Sequence, residues 1–158
     1  RLTIPVLHDT TNPRPVDIKI AYRQSWLRQH WGALQSAYGK SPFFEYYAPD
    51  FEQIYRKKYL YLLDLTVELL TLCLYKLGLK PRITYSLSYQ KDPPNELDDK
   101  RCCILPPHDG RSPLFHEPVR YYQTFGNDFI ANTSVIDLLF NTGPEARTIL
   151  IQSAKQPK

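Results

Sequence analysis

The chain has 158 residues and a formal net charge of +4, with 42% hydrophobic and 23% charged residues, as in ordinary globular proteins. A chain of this length can bury roughly 70% of its unfolded surface, so residues 1–158 are predicted to form a single domain. The modest charge does not form the basic stripe of a nucleic-acid binder, and no nucleic-acid partner is expected. No apolar window reaches the 18 or so residues of a membrane-crossing helix, so no transmembrane segment is expected.

The cysteine content argues against an oxidising compartment. Cys73, Cys102 and Cys103 are odd in number and two of them are adjacent, which does not make a disulfide framework. A reducing, cytoplasmic location is therefore expected. The chain begins at Arg1 and contains no methionine, so we expect it to be part of a longer translated product.

Three segments carry the alternating apolar and polar pattern of a half-buried strand. Residues 1–6 and 16–22 are predicted to form a hairpin around a Pro- and Asn-rich loop, and residues 81–89 are predicted to form a third strand. In the third, the apolar positions are Ile83, Tyr85, Leu87 and Tyr89. Two strands alone are marginal in water, so further pairing is expected.

Helical periodicity dominates the rest of the chain. It predicts helices over 25–38, 43–47, 51–63 and 67–77, with a break near Pro49 and a stop at Gly78. The last of these is so apolar that we expect it to be the central buried helix. The predicted fold class is α+β, a mainly helical single domain packed on a small mixed or antiparallel sheet.

One histidine lies on the inner face of the first predicted helix. At 100° per residue, His30 shares a face with Trp26. Two interpretations remain open: a core histidine with satisfied ring nitrogens, or a positioned general acid or base.

The stretch from 121 to 147 contains the densest set of local signals. Asn132 to Ser134 can cap a helix, an apolar run follows, Gly143 stops it, and Pro144 begins another helix. Asp137 interrupts that apolar run, and burying a lone carboxylate costs several kcal/mol. Asp137 is therefore a marked residue, although the pattern assigns it no reaction.

The irregular region from 90 to 117 raises the question of a metal site. Cys102, Cys103, His108, Asp109 and His116 are possible zinc ligands, but no Cys-x-x-Cys or His-x-x-x-His pair is present. Phosphate-binding loops, dinucleotide fingerprints and nucleophile elbows are also missing from the sequence. Neither a metal nor a cofactor is predicted.

Several sequence motifs, taken together, resemble those of the WbqC-like protein family. They are Trp26-x-x-x-His30, the run from Ala37-Tyr38 through Lys40-Ser41-Pro42-Phe43-Phe44, and Asp137-Leu-Leu-Phe-Asn-x-Gly-Pro-Glu145. The likeness extends from Leu2-Thr3-Ile4-Pro5-Val6 through Tyr121-Tyr122-Gln123 to the Gly-Pro-Glu helix. Two differences stand out: the family's N-terminal portion has no counterpart here, and residues 90–119 replace a longer insert.

The resemblance implies a role in bacterial surface-polysaccharide (O-antigen) biosynthesis, with a transferase that places an acyl or aminoacyl group on an activated sugar as the leading hypothesis. Its partners would be an activated sugar or an aminoacyl donor. His30 and Asp137 are the expected catalytic pair. The expected substrate-binding residues are Tyr38, Asn132, Ser134, Asn141, Tyr121 and Tyr122, of which the last two could stack on a sugar ring. The competing hypothesis is a non-catalytic binding or scaffolding module, in which the same residues are caps and satisfied core groups.

Overall fold

The structure is a computed structural model that describes residues 2–7, 13–23, 25–94, 96–99, 101 and 116–154. Two short 3-10 helices, Pro15–Asp17 and Gly143–Glu145, accompany the α-helices of this part of the chain. None of its helices is long and apolar enough to cross a bilayer. The α-helices are α1 (Trp26–Tyr38), α2 (Phe44–Arg56), α3 (Leu62–Lys76), α4 (Val135–Thr142) and α5 (Ala146–Ser153).

The described residues contain no strand and no sheet, so the α+β prediction is wrong and the fold is helical. The backbone pairing of the N-terminal segments is limited to isolated antiparallel bridges, which join Val6 to Ile20 and Lys19 to Tyr61, just before α3. Their side chains also pack on α3, where Ile20 and Leu65 share a buried cluster. The predicted second strand fails because the 3-10 helix Pro15–Asp17 takes up its first residues. Pro15 has no backbone N–H to donate to a neighbouring strand, so a strand is unfavourable at this residue.

The third predicted strand is also wrong. Residues 81–89 make no backbone pairing with the described chain, and all of them are exposed. The alternation along this segment is real, but a strand forms only where a neighbouring backbone supplies hydrogen-bond partners.

The predicted break at Pro49 does not occur. Helix α2 runs continuously through Pro49 to Arg56. Pro49 costs the helix one N–H donor, and the burial of residues on either side, such as Ala48 and Phe51, holds it together.

Helix α4 is the most buried helix, in place of α3. Six of its eight residues are buried, whereas only Leu65 and Cys73 are buried in α3. The apolar residues of α3 lie on all sides of the helix, but only one side packs against the core. Leu70 lies on another side and is therefore 50% exposed. The main core lies between α2 and α4, where the ring of Phe140 meets those of Phe44 and Phe51 edge to face.

Candidate functional site

The centre of the candidate site is a fully buried carboxylate on α4. Asp137 Oδ2 accepts hydrogen bonds from Tyr121 Oη at 2.6 Å, Gln123 Nε2 at 2.8 Å and Thr133 Oγ1 at 2.9 Å. Its Oδ1 accepts from Asn141 Nδ2 at 2.9 Å. Four neutral donors thus replace the water that the carboxylate gives up on burial, and no cation is needed beside it.

The hydrogen bonds continue from Asp137 to the loop before α2. Asn141 Oδ1 accepts from the Thr124 backbone N–H at 3.1 Å and from Thr124 Oγ1 at 2.7 Å. Because the Thr124 hydroxyl donates there, it accepts from Ser41 Oγ, 2.9 Å away. Helix α2 begins at Phe44, so Ser41 lies outside the helix and its side chain is available to this network.

Gln123 closes the segment that leads into α4. Its Nε2 also donates to the Ile130 carbonyl at 3.0 Å, and its Oε1 accepts from the Ile130 N–H at 2.8 Å. Both ends of the carboxamide are therefore engaged, and residues 123–130 form a closed loop. We call the side chains of Ser41, Tyr121, Gln123, Thr124, Thr133, Asp137 and Asn141 the Asp137 network.

An inner cavity of about 190 Å³ lies beside the start of α4. Three predicted substrate-binding residues, Tyr121, Asn132 and Ser134, line it together. Ser134 is also the helix cap, as predicted, because its Oγ accepts the Ile136 N–H at 3.4 Å. Asn132 has a φ of 59°, a left-handed conformation that asparagine tolerates better than most residues.

A second, larger opening adjoins the inner cavity. This outer groove of about 600 Å³ is lined by Tyr122, which is 66% exposed, and by the polar residues Arg120, Asn127 and Asp128. Tyr121 and Phe129 line both spaces and pack edge to face with ring centroids 5.3 Å apart. These two rings form the wall between cavity and groove.

The buried charge affects the nearby tyrosines. Burial, followed by the charge of Asp137 and the neighbouring Tyr121, raises the pKa of Tyr38 to about 12. Burial and the hydrogen bond to Asp137 also raise the pKa of Tyr121. Both phenols therefore stay protonated at neutral pH, and the Tyr121 hydroxyl remains a donor to the carboxylate.

His30 is held by a different set of residues. Its Nε2 lies 3.1 Å from the Thr3 carbonyl, which can only accept, so this nitrogen carries the proton. The buried ring packs on Trp26 and Tyr55 at centroid distances of 5.1 and 6.2 Å. None of these partners belongs to the Asp137 network. The catalytic roles of His30 and Asp137 stay predictions.

The structure thus groups most of the predicted site residues around one region. Asp137 and Asn141 lie in the buried network, Tyr121, Asn132 and Ser134 line the cavity, and Tyr122 lines the groove. Sequence reasoning missed Gln123, Thr124 and Thr133 within the network and the charged residues Arg120 and Asp128 that line the groove. The signal in the sequence that could have pointed to the missing network residues is Asp137, because a buried carboxylate requires several hydrogen-bond donors.

Most of the possible zinc ligands are residues that the structure does not describe. Cys102, Cys103, His108 and Asp109 lie outside the described ranges, while His116 lines the inner cavity. In the part of the chain that is described, no three His, Cys, Asp or Glu side chains are grouped as metal ligands.

The fold and site define a helical protein with a solvent-open groove built against a buried, carboxylate-centred network. The chain belongs to the WbqC-like protein family, which matches residues 1–103. That match includes His30 and all of α1 to α3, and it ends before the segment that carries Asp137. The chain matches no curated protein and no solved structure.

Proposed function

We propose that the outer groove binds a saccharide, either a unit of a bacterial surface polysaccharide or its activated precursor. The observation that carries the proposal is the exposed ring of Tyr122 in a groove of about 600 Å³ that Arg120, Asn127 and Asp128 also line. An aromatic face covers the C–H side of a sugar ring, and forked donors and acceptors bind its hydroxyl groups. The resemblance to a family associated with polysaccharide gene clusters supports the same class of ligand.

The Asp137 network supports binding because it holds two side chains that line the groove in place before a ligand binds. Tyr121 and Gln123 line the groove, and both donate to the Asp137 carboxylate. Side chains whose hydrogen bonds are made before the ligand arrives lose little entropy on binding. With all its donors supplied internally, Asp137 acts here as an organiser of neighbouring side chains.

Tyr122→Ala is expected to weaken saccharide binding by about tenfold or more, because it removes the stacking surface. The measurement is isothermal titration calorimetry with a panel of nucleotide-activated sugars and short oligosaccharides. Tyr46→Ala is the matched control, since Tyr46 is a 73% exposed tyrosine on α2, outside the groove. Equal affinity of the two variants, or failure of every saccharide to bind the unchanged chain, would rule out this site.

Transfer of an acyl or aminoacyl group to a sugar is the second candidate. Its favouring observation is that the Tyr121 hydroxyl, in the wall shared by cavity and groove, bonds directly to Asp137. In this proposal His30 is the general acid or base and Asp137 orients it or the acceptor. Tyr38, Asn132, Ser134 and Asn141 would shape the substrate site.

His30→Gln in the full-length protein tests the transferase proposal, because the glutamine amide can still donate to the Thr3 carbonyl. Removing a general acid or base is expected to lower turnover of an identified substrate by about 10²- to 10⁴-fold, with saccharide affinity unchanged. Gln35→Ala, at an exposed residue of the same helix, is the control and should leave turnover unchanged. Normal turnover in His30→Gln would remove His30 from catalysis and leave the binding proposal intact.

A further inference from the structure

The segment between α3 and the groove region exposes an unusual amount of apolar surface. Its alternate residues Ile83, Tyr85, Leu87 and Tyr89 are 39%, 60%, 102% and 82% exposed. Four large apolar side chains at a spacing of two form one face of an extended segment. Such a face gains free energy when another chain covers it.

The backbone of this segment is unengaged as well. Residues 81–89 have no hydrogen-bond partner within the described chain. Just beyond them, the Arg101 guanidinium donates to the carbonyls of Gln90 and Lys91 at 2.6 and 3.3 Å. Leu87 and Ser88 lie in one bend, and Lys91 and Asp92 lie in a second. The Arg101 guanidinium also lies over the Tyr89 ring, 5.4 Å from its centroid. Opening both bends and releasing the Arg101 contacts gives an extended stretch with free N–H and C=O groups.

We propose that residues 82–92 pair antiparallel with the same residues of a second copy of this chain, about a twofold axis at Leu87. Pro81 and Pro93 set the length of the pairing, because proline has no N–H to donate. In this register Arg82 of each copy faces Asp92 of the other. Neither side chain has an ion-pair partner elsewhere in the described chain.

The remaining pairs in this register are also compatible. On one face Leu87 meets its own copy, Tyr85 meets Tyr89, and the stem of Lys91 covers Ile83. On the other face hydroxyl and amide side chains meet, with Ser86 opposite Ser88 and Thr84 opposite Gln90.

The complementarity of residues 82–92 with their own reversed sequence indicates that the partner is a second copy of this chain. Twofold pairing requires one segment to match its own reverse in apolar, polar and charged positions, and residues 82–92 do so at both ends. A ribbon of this length buries little area, so the dimer is expected to be weak and concentration-dependent. The proposal is independent of the saccharide site.

Sedimentation velocity over a concentration series tests the charge match. Asp92→Arg, which sets Arg against Arg twice, is expected to raise the dimer dissociation constant by about tenfold or more, and Arg82→Asp added to it should restore dimerisation. Asp64→Arg makes the same charge change at an exposed residue of α3 and should have no effect. A monomeric unchanged chain, or an Asp92→Arg defect that the second change does not reverse, overturns the proposal.

Disulfide trapping tests the register, with Cys102 and Cys103 replaced by serine. Two Leu87→Cys residues would lie about 5.5 Å apart between Cα atoms, within disulfide range. Two Ile83→Cys residues would lie about 26 Å apart, at ~3.3 Å per residue. Cross-linking of the first variant alone supports the pairing. Cross-linking of both equally, or of neither, overturns it.

Discussion

Asp137→Ala is expected to lower the free energy of unfolding by about 3 to 5 kcal/mol. The substitution removes the acceptor shared by Tyr121, Gln123, Thr133 and Asn141. Gln123 and Asn141 are themselves buried, so their freed N–H groups cannot turn to bulk water. Each unsatisfied buried donor costs about 1 to 3 kcal/mol before any relaxation.

The loss should spread beyond α4, because the network connects segments that are distant in sequence. Through Asn141 and Thr124 it reaches Ser41, before α2. Asp137→Asn keeps the side-chain volume and replaces one accepting oxygen with a donor that faces other donors. We expect it to cost about 2 kcal/mol, since part of the network survives.

Urea unfolding followed by circular dichroism measures both variants. Asp64→Ala is the control, because Asp64 also lies in the first turn of a helix but is exposed. It should change stability by only about 0.5 kcal/mol. If Asp137→Asn and Asp64→Ala unfold at the same urea concentration, the buried network does not stabilise the fold.

Gly143→Ala is expected to cost about 3 kcal/mol or more, for two separate reasons. Gly143 ends α4 with φ 55° and ψ −124°, a backbone conformation open mainly to glycine. A Cβ at this residue would also lie 2.6 Å from Cγ of Phe43, well inside van der Waals contact. Phe43 packs against the main core, so its ring has little room to move.

Gly78→Ala separates the two reasons. Gly78 has a similar φ of 68°, but its nearest neighbour to an added Cβ is an Arg147 guanidinium nitrogen at 3.4 Å. Backbone strain alone should cost about 1 to 2 kcal/mol. Thermal and urea unfolding of the two variants should rank Gly143→Ala as clearly less stable. Equal losses would show that the contact with Phe43 relaxes freely.

The features that sequence reasoning predicted correctly are short-range. Helix α1, the Ser134 cap and the glycine ends of α3 and α4 follow from residue types a few positions apart. Asp137 was singled out because a carboxylate within an apolar run needs compensation. Two of its four donors, Thr133 and Asn141, lie within four residues of it. The other two, Tyr121 and Gln123, come from a segment that only folding brings to α4, so the complete set could not be named in advance.

The sequence by itself determined that the segments of α1 to α5 are helical, the cap at Ser134 and the glycine stops at Gly78 and Gly143, because propensity and capping act within a turn or two. Tertiary packing decided that α2 continues through Pro49 to Arg56 and that α3 begins at Leu62. Only the tertiary structure decided that the alternating segments form no sheet in the described residues, since a strand requires a partner backbone. It likewise decided that α4 is the central helix and that His30 and Asp137 have separate contacts. Those outcomes depend on which distant surfaces bury each other.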